Sequence, residues 1–272
     1  MQLLGVPMKK YAIIIIFLST ISSKAIAQEN KTNQTTEMTV SSDTYSVSAL
    51  VADDASKEVY ELMNKATNSV GEGDLNTALE KYINPIIKVF EQEYKNKYTL
   101  MYSARSSQES IIYSLEMLVV HGIPIDKKKL SNVYRIPYVF AKAFYAKGSV
   151  NISLGRINLG RKALEKAITL APRNSLFLSE LGYTYQVDEK FTEAMEIYEK
   201  ALSGAEHSPD TEKKREKGRA LRGIGYSLIE LNRLDEAEEK YQQALAINPS
   251  DGKSLNELKY IKNLRQKNVG NK

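Results

Sequence analysis

The stretch Gly225 to Pro249, GYSLIELNRLDEAEEKYQQALAINP, decides the fold. It sets small residues at Gly225, Ala237 and Ala244 around a polar turn, one large aromatic at Tyr241, and a proline at its end. Working outward, the same order appears in three copies, Ala141 to Asn174, Ser175 to Leu202 and Gly218 to Asp251. The first helix of each copy carries an apolar anchor (Phe144, Leu178, Leu221) and then a glycine (Gly148, Gly182, Gly225). The second helix supplies a small residue (Gly160, Ala194, Ala237), a large one (Leu164, Tyr198, Tyr241) and an alanine (Ala167, Ala201, Ala244). Pro172 and Pro249 close two copies, because proline cannot continue a helix. A recurrence at a fixed period of a few tens of residues means stacked supersecondary units. Small residues at two fixed places let two antiparallel helices approach to about 8 to 10 Å, and the bulky residues fill the space between neighbouring units.

These residues resemble the tetratricopeptide repeat. The expected fold is all-α, an α-solenoid of antiparallel helix pairs, and the resemblance implies a right-handed superhelix. The array is expected over residues 49–268, with repeats at 141–174, 175–202 and 218–251 and a capping helix at 252–267. Leu255, Leu258, Ile261 and Leu264 would lie on one face of that cap. An earlier repeat is read at 59–92, where Pro85 replaces the second alanine and is expected to kink the second helix. Residues 93–136 read as a degenerate helix pair followed by a loop with a short helix, and 203–217 as an insertion that lengthens the helices or the loop between two repeats.

Upstream of the array, Lys9 and Lys10 precede an apolar run, Tyr11 to Leu18, and then a small-residue stretch ending Ala25-Ile26-Ala27. That order is the one expected of a secretory signal peptide over 1–27, with translation starting at Met8 and cleavage after Ala27. The apolar core, about ten residues, is too short to span a bilayer, so no integral membrane segment is expected after cleavage. Residues 28–48 are mostly Thr, Ser, Asn, Gln and Glu and are expected to be a flexible tether, since they offer little apolar surface to offset ordering. The predicted location is periplasmic, and the alternative is secretion to the medium as an effector-type protein that binds a host partner.

Composition removes several function classes. With 42 % apolar and 26 % charged residues the chain is an ordinary globular one, and with no Cys it has no disulfide, thiolate metal site or cysteine nucleophile. Losing 1–27 takes Lys9, Lys10 and Lys24 with no acid, so the formal charge falls from +5 to +2 and no nucleic-acid partner is expected. His121 and His207 each lack a second ligand at helical spacing, and His121 stands where it could bond the carbonyls ending a helix. Gly223-Ile-Gly225 has the glycine spacing of a phosphate loop but lies inside a repeat helix with no strand before it. The acid groups Asp188, Glu189, Glu193, Glu196 and Glu238-Glu239 and the basic runs 127–129 and 213–217 read as solvated faces. No catalytic residue, metal or small-molecule cofactor is expected, and an enzyme with a site in 91–137 is the remaining alternative from another class.

The resemblance also implies where a partner sits. In this family the first helices line a concave groove, which here would present Lys142, Tyr145, Ser149 and Ile152, then Leu176, Ser179, Tyr183 and Gln186, then Arg219, Arg222, Tyr226 and Ile229. Tyrosine and arginine beside small polar groups suit a protein or peptide ligand. The alternative is that these tyrosines, from a total of 17, belong to the core between repeats. Only Lys142, Arg219 and Arg222 could contribute to the carboxylate clamp of some family members, and no such clamp is expected.

Overall fold

The computed structural model describes residues 26–32, 35–42, 45–52, 54–121 and 133–270. The first 25 residues of the expected leader, and the basic run 127–129, lie outside them. Among the described residues, four helix pairs and a cap form the body of the protein. The first pair is α1 (Lys57–Gly71) with α2, a continuous helical run over 75–94. Then come α4 (Tyr138–Ser153) with α5 (Ile157–Leu170), α6 (Ser175–Val187) with α7 (Phe191–Ala205), and α8 (Asp210–Glu230) with α9 (Leu234–Ile247). The cap is α10 (Gly252–Gly270). Among the described residues no helix is long and apolar enough to cross a membrane.

The small and large residues meet as the spacing requires. A Cβ on Gly148 would stand 2.7 Å from Leu164 Cγ, one on Gly182 2.9 Å from the Tyr198 ring, and one on Gly225 2.8 Å from the Tyr241 ring. In each pair, then, the ring or branched side chain of the second helix fills the space a Cβ would need on the first. Every first helix also stops in the same way. Gly73, Gly155, Glu189 and Asn232 have positive φ, and the next residue donates its N–H five residues back, to Ser69, Asn151, Tyr185 and Leu228. This double closure by a left-handed residue satisfies carbonyls that the helix end would otherwise leave without donors. Its presence after α1 marks 57–94 as a unit of the same construction.

Proline 85 does not interrupt α2. It lies between two π-helical turns, Ala78–Ile83 and Phe90–Tyr94, and the run stays continuous. The wider i→i+5 bonding relieves the need for the N–H that proline lacks. Phe90 on α2 packs directly on α4, with ring centroids 5.7 Å from Phe140 and 5.4 Å from Phe144. So α1/α2 stacks on α4/α5 as one repeat on the next.

Residues 93–136 are consequently not a repeat, which corrects the sequence expectation. They leave the array and hold strand β4 (Leu100–Tyr102), helix α3 (Ser107–Val120) and strand β5 (Val133–Arg135). β4 and β5 pair in parallel, Met101 opposite Tyr134, with α3 as the crossover. Residues 28–48 also differ from the expected tether. The chain forms β1 (Ile26–Thr32), β2 (Thr35–Ser42) and β3 (Tyr45–Val51), antiparallel to one another, and β3 joins β5 in parallel through Leu50 and Val51. The threonines and valines that make this stretch poor helix are β-branched, and β-branching suits a strand. The resulting sheet runs β1-β2-β3-β5-β4, an addition to a fold that is otherwise helical.

The insertion at 203–217 extends α8, a 21-residue helix and the longest first helix of the array. Its added turns meet the strand-containing lobe through a buried ionic cluster. Arg105 Nη1 donates to Glu216 at 2.6 Å, Nη2 to Glu109 at 2.6 Å and to Ser208 at 3.1 Å, and the Ser208 hydroxyl donates to Glu216 at 2.5 Å. Both carboxylates are almost fully buried. A second contact joins Glu116 on α3 to Arg173 in the turn before α6.

Candidate functional site

A groove of about 780 Å³ opens on the side of the array lined by the first helices. The largest share of its wall is one face of α8, where Arg215, Glu216, Arg219, Arg222, Gly223 and Tyr226 follow the helical repeat. Tyr145 of α4 and Leu176 and Gln186 of α6 form one flank, and Lys253 and Glu257 of α10 the other. Tyr198 and Tyr241 reach the groove from α7 and α9, behind the first helices.

That reach depends on glycine. Gly182 on α6 and Gly223 on α8 both face the Tyr198 ring, and a Cβ on Gly223 would penetrate it. With no Cβ on either side, the ring passes between the two helices and its hydroxyl donates to Gln186 Oε1 at 3.2 Å. Gln186 in turn donates to the Gly223 carbonyl at 2.9 Å and to the Ser227 hydroxyl at 3.0 Å, tying α6 to α8 across the groove floor. Gly223-Ile-Gly225 therefore serves helix packing.

Of the twelve residues singled out from sequence, Leu176 lines the groove and Ile152 and Ile229 do not, and the other nine divide as well. Tyr145, Gln186, Arg219, Arg222 and Tyr226 line the groove. Lys142, Ser149, Ser179 and Tyr183 do not. Lys142 is exposed beyond the wall, Ser149 is half-buried, and Ser179 is fully buried with its hydroxyl lacking a partner. Tyr183 is exposed outside the lining, one residue after Gly182 as Tyr226 is one residue after Gly225. Tyr145 is both core and wall, stacked on Phe177 at 4.9 Å. Sequence reasoning missed Tyr198, Tyr241, Arg215, Glu216, Lys253 and Glu257. A phenol in the second-helix position that holds Leu164 in the first copy was the available signal, since a hydroxyl needs a polar exit.

Most of the groove charges are already matched. Arg219 pairs with Glu180, Arg215 with Glu212, and Arg222 with Asp251 at 2.7 Å, where Ser254 also donates. Asp251 is held below the usual carboxylate range: burial opposes this, and the Ser254 and Arg222 hydrogen bonds outweigh it. Burial pushes the Tyr145, Tyr198, Tyr226 and Tyr241 phenols up, so all four remain neutral hydroxyls in neutral solution. Glu257 is raised by partial burial and then by the charge of Glu230. The groove thus offers aromatic faces, neutral hydroxyls and fixed ion pairs. His121 bonds the Met117 carbonyl at 2.8 Å at the end of α3, away from the groove lining. Among the described residues no three His, Asp or Glu side chains converge as metal ligands.

Comparison with known proteins agrees with the repeat. Tetratricopeptide repeat family models match residues 141–174 and 175–250. No curated protein matches the chain. Similar solved structures include the first TPR domain of the human RPAP3 protein, at 22 % identity over 47 % of this chain and 95 % of that one, with a TM-score of 0.41. The N-terminal domain of stress-induced protein-1 from C. elegans is 21 % identical over 46 % of this chain and 96 % of its own, with a TM-score of 0.41. Pseudomonas aeruginosa pilF is 13 % identical over 78 % of this chain and 70 % of its own, with a TM-score of 0.48. Residues 141–250 carry tetratricopeptide repeats.

Proposed function

We propose that this protein is an exported scaffold that holds an extended segment of another protein in its groove, in assembly or maintenance of the cell envelope. The observation that carries the reading is the groove itself. It is open, about 780 Å³ in volume, and walled by neutral tyrosines and by arginines fixed in place by ion pairs. Preorganised aromatic and arginine side chains are the residues that dominate protein interfaces, because little rotamer freedom is lost when a partner arrives. The order of charged, apolar and small residues in 1–27 supports export to the periplasm.

The test is site-specific cross-linking in living cells. A photoreactive residue in place of Tyr226 is expected to capture a defined envelope protein. The same residue in place of Leu159, exposed on the second helix α5, is expected to capture none. Equal capture at the two positions would overturn the groove reading. Export is tested separately by cell fractionation and by the N-terminal residue of the mature chain, expected at Gln28.

A further inference from the structure

We infer that the groove takes a proline-rich segment in the extended polyproline II form, with the Tyr241 hydroxyl and the groove arginines donating to its carbonyls. The inference rests on the peptide-binding reading of the groove and names the chemistry of the guest. Tyr241 carries it. The side chain is 1 % exposed yet reaches the groove lining, and among the described residues its hydroxyl, which is not sealed in the interior, makes no hydrogen bond. A buried phenol ordinarily has a partner, so a free one at an open groove marks the place of an acceptor from outside.

The other polar groups of the groove point the same way. Its acceptors are occupied: Gln186 Oε1 by the Tyr198 hydroxyl, the Gly223 carbonyl by Gln186, and the Glu216 carboxylate by Arg105 and Ser208. Donors remain. Arg219 and Arg222 each give one nitrogen to an acid and keep further N–H groups, and Lys253 stands on the cap flank. Glu257, one turn from Lys253, is the exception among the acceptors. An ordinary extended peptide brings an N–H with nearly every carbonyl, and those facing the floor would find no acceptor. Proline brings carbonyls alone, on a backbone that in polyproline II has no internal hydrogen bonds. An acidic segment is disfavoured, because Glu180 and Asp251 already neutralise Arg219 and Arg222.

Apolar contact and spacing fit the same guest. Proline rings pack on aromatic faces, and the groove holds Tyr145 stacked on Phe177, Tyr198 between two glycines, and Tyr226, 41 % exposed, with Phe191 edge-on at 6.3 Å. Packed helices lie about 8 to 10 Å apart, and one three-residue turn of polyproline II rises about 9 Å, so each turn meets one first helix. From α4 to α10 the groove then seats about ten residues.

The experiment measures binding of fluorescein-labelled decaproline to the full chain by fluorescence anisotropy, beside a Gly-Ser peptide and an oligoglutamate of the same length. Decaproline is expected to bind, with both other peptides about tenfold weaker or worse. Tyr241→Phe removes only the hydroxyl. It is expected to weaken decaproline about fivefold, the size of one hydrogen bond, and to leave the melting temperature of the free protein unchanged, since the hydroxyl has no partner there. Tyr226→Ala is expected to weaken decaproline too. Equal or tighter binding of either other peptide, affinity for decaproline that either variant leaves unchanged, or a lowered melting temperature in Tyr241→Phe would overturn the proline-rich guest. No binding of decaproline, with a partner still cross-linked at Tyr226, would overturn it and leave the scaffold reading standing. Neither binding nor cross-link would overturn both.

Discussion

At the scale of single residues, the array is controlled by places where a Cβ or a proton has no room. Gly204, near the end of α7, faces the carbonyl of Arg173 so closely that a methyl group would enter it, and backbone on both sides cannot move aside. Gly204→Ala is therefore expected to destabilise the protein by about 1 to 3 kcal/mol, read by chemical denaturation. Glu189 is the converse case. It sits at φ 58° where the first and second units use glycine, and a side chain in that region costs about 1 kcal/mol, so Glu189→Gly is expected to raise stability by that amount. His207 concerns a proton. Burial holds its imidazole below the ordinary value of 6.5, Arg173 and Lys213 push it further down against the opposing charge of Glu206, and its buried Nδ1 has no hydrogen-bond partner. Below pH 6.5 the unfolded chain binds this proton more readily than the folded one, so stability present above that value is lost as pH falls. His207→Asn is expected to flatten that loss in denaturation curves taken from pH 7 down to about pH 5.

At the scale of elements, the lobe that leaves the array is fastened to α8 by the Arg105 cluster, across 111 residues of sequence. One guanidinium holds two carboxylates that are 2 % and 1 % exposed, so removing it strands two negative charges out of water. Arg105→Ala is expected to cost about 3 to 5 kcal/mol, and hydrogen exchange should show protection lost first in β4, α3 and β5 and in the first turns of α8. Glu216→Gln, which keeps the shape and one hydrogen-bond acceptor, is expected to cost less. None of this was legible beforehand. The repeats were, because a glycine facing a large side chain sixteen positions later is a local pattern that recurs in register. β4 and β5 are three residues each, too short for a periodicity to declare itself, and their pairing is set by partners distant in the chain. Pro85 was read as a misfit in the repeat, whereas the π-helical turns on either side of it were not foreseen, since such turns leave no compositional mark.

At the scale of the whole molecule, the groove face was legible where the first helices supply it. The resemblance to the repeat gave Tyr145, Leu176, Gln186, Arg219, Arg222 and Tyr226, whereas Tyr198 and Tyr241 enter from behind through gaps that exist only once neighbouring units stack. The same stacking divides the core. One apolar cluster runs from Ala52 to Phe177, through α1, α2, the lobe and α4/α5, and another joins Tyr198, Ile224, Leu228, Tyr241 and Ile261 at the far end. In an array whose units touch only their neighbours, a defect at one end propagates by nearest-neighbour terms. The cap tests this. Ile261 is almost fully buried, with Leu258 and Leu264 partly buried beside it and Leu255 exposed, and Arg265 ties the helix to Glu238 and Asp235 at 2.5 Å each. Ile261→Asp would place a carboxylate in the apolar cluster that holds Tyr241, Ile224 and Leu228, a cost the exposed ion pairs of Arg265 are too weak to offset. Hydrogen exchange is expected to show α10 and α9 opening together, while α1, α2, α4 and α5 keep their protection. Lys253 and Glu257 leave the groove with α10, so groove-bound peptides should be released under the same conditions. Uniform loss of protection along the chain would instead mean that the two clusters fold as one unit, and that the groove opens only when the entire array does.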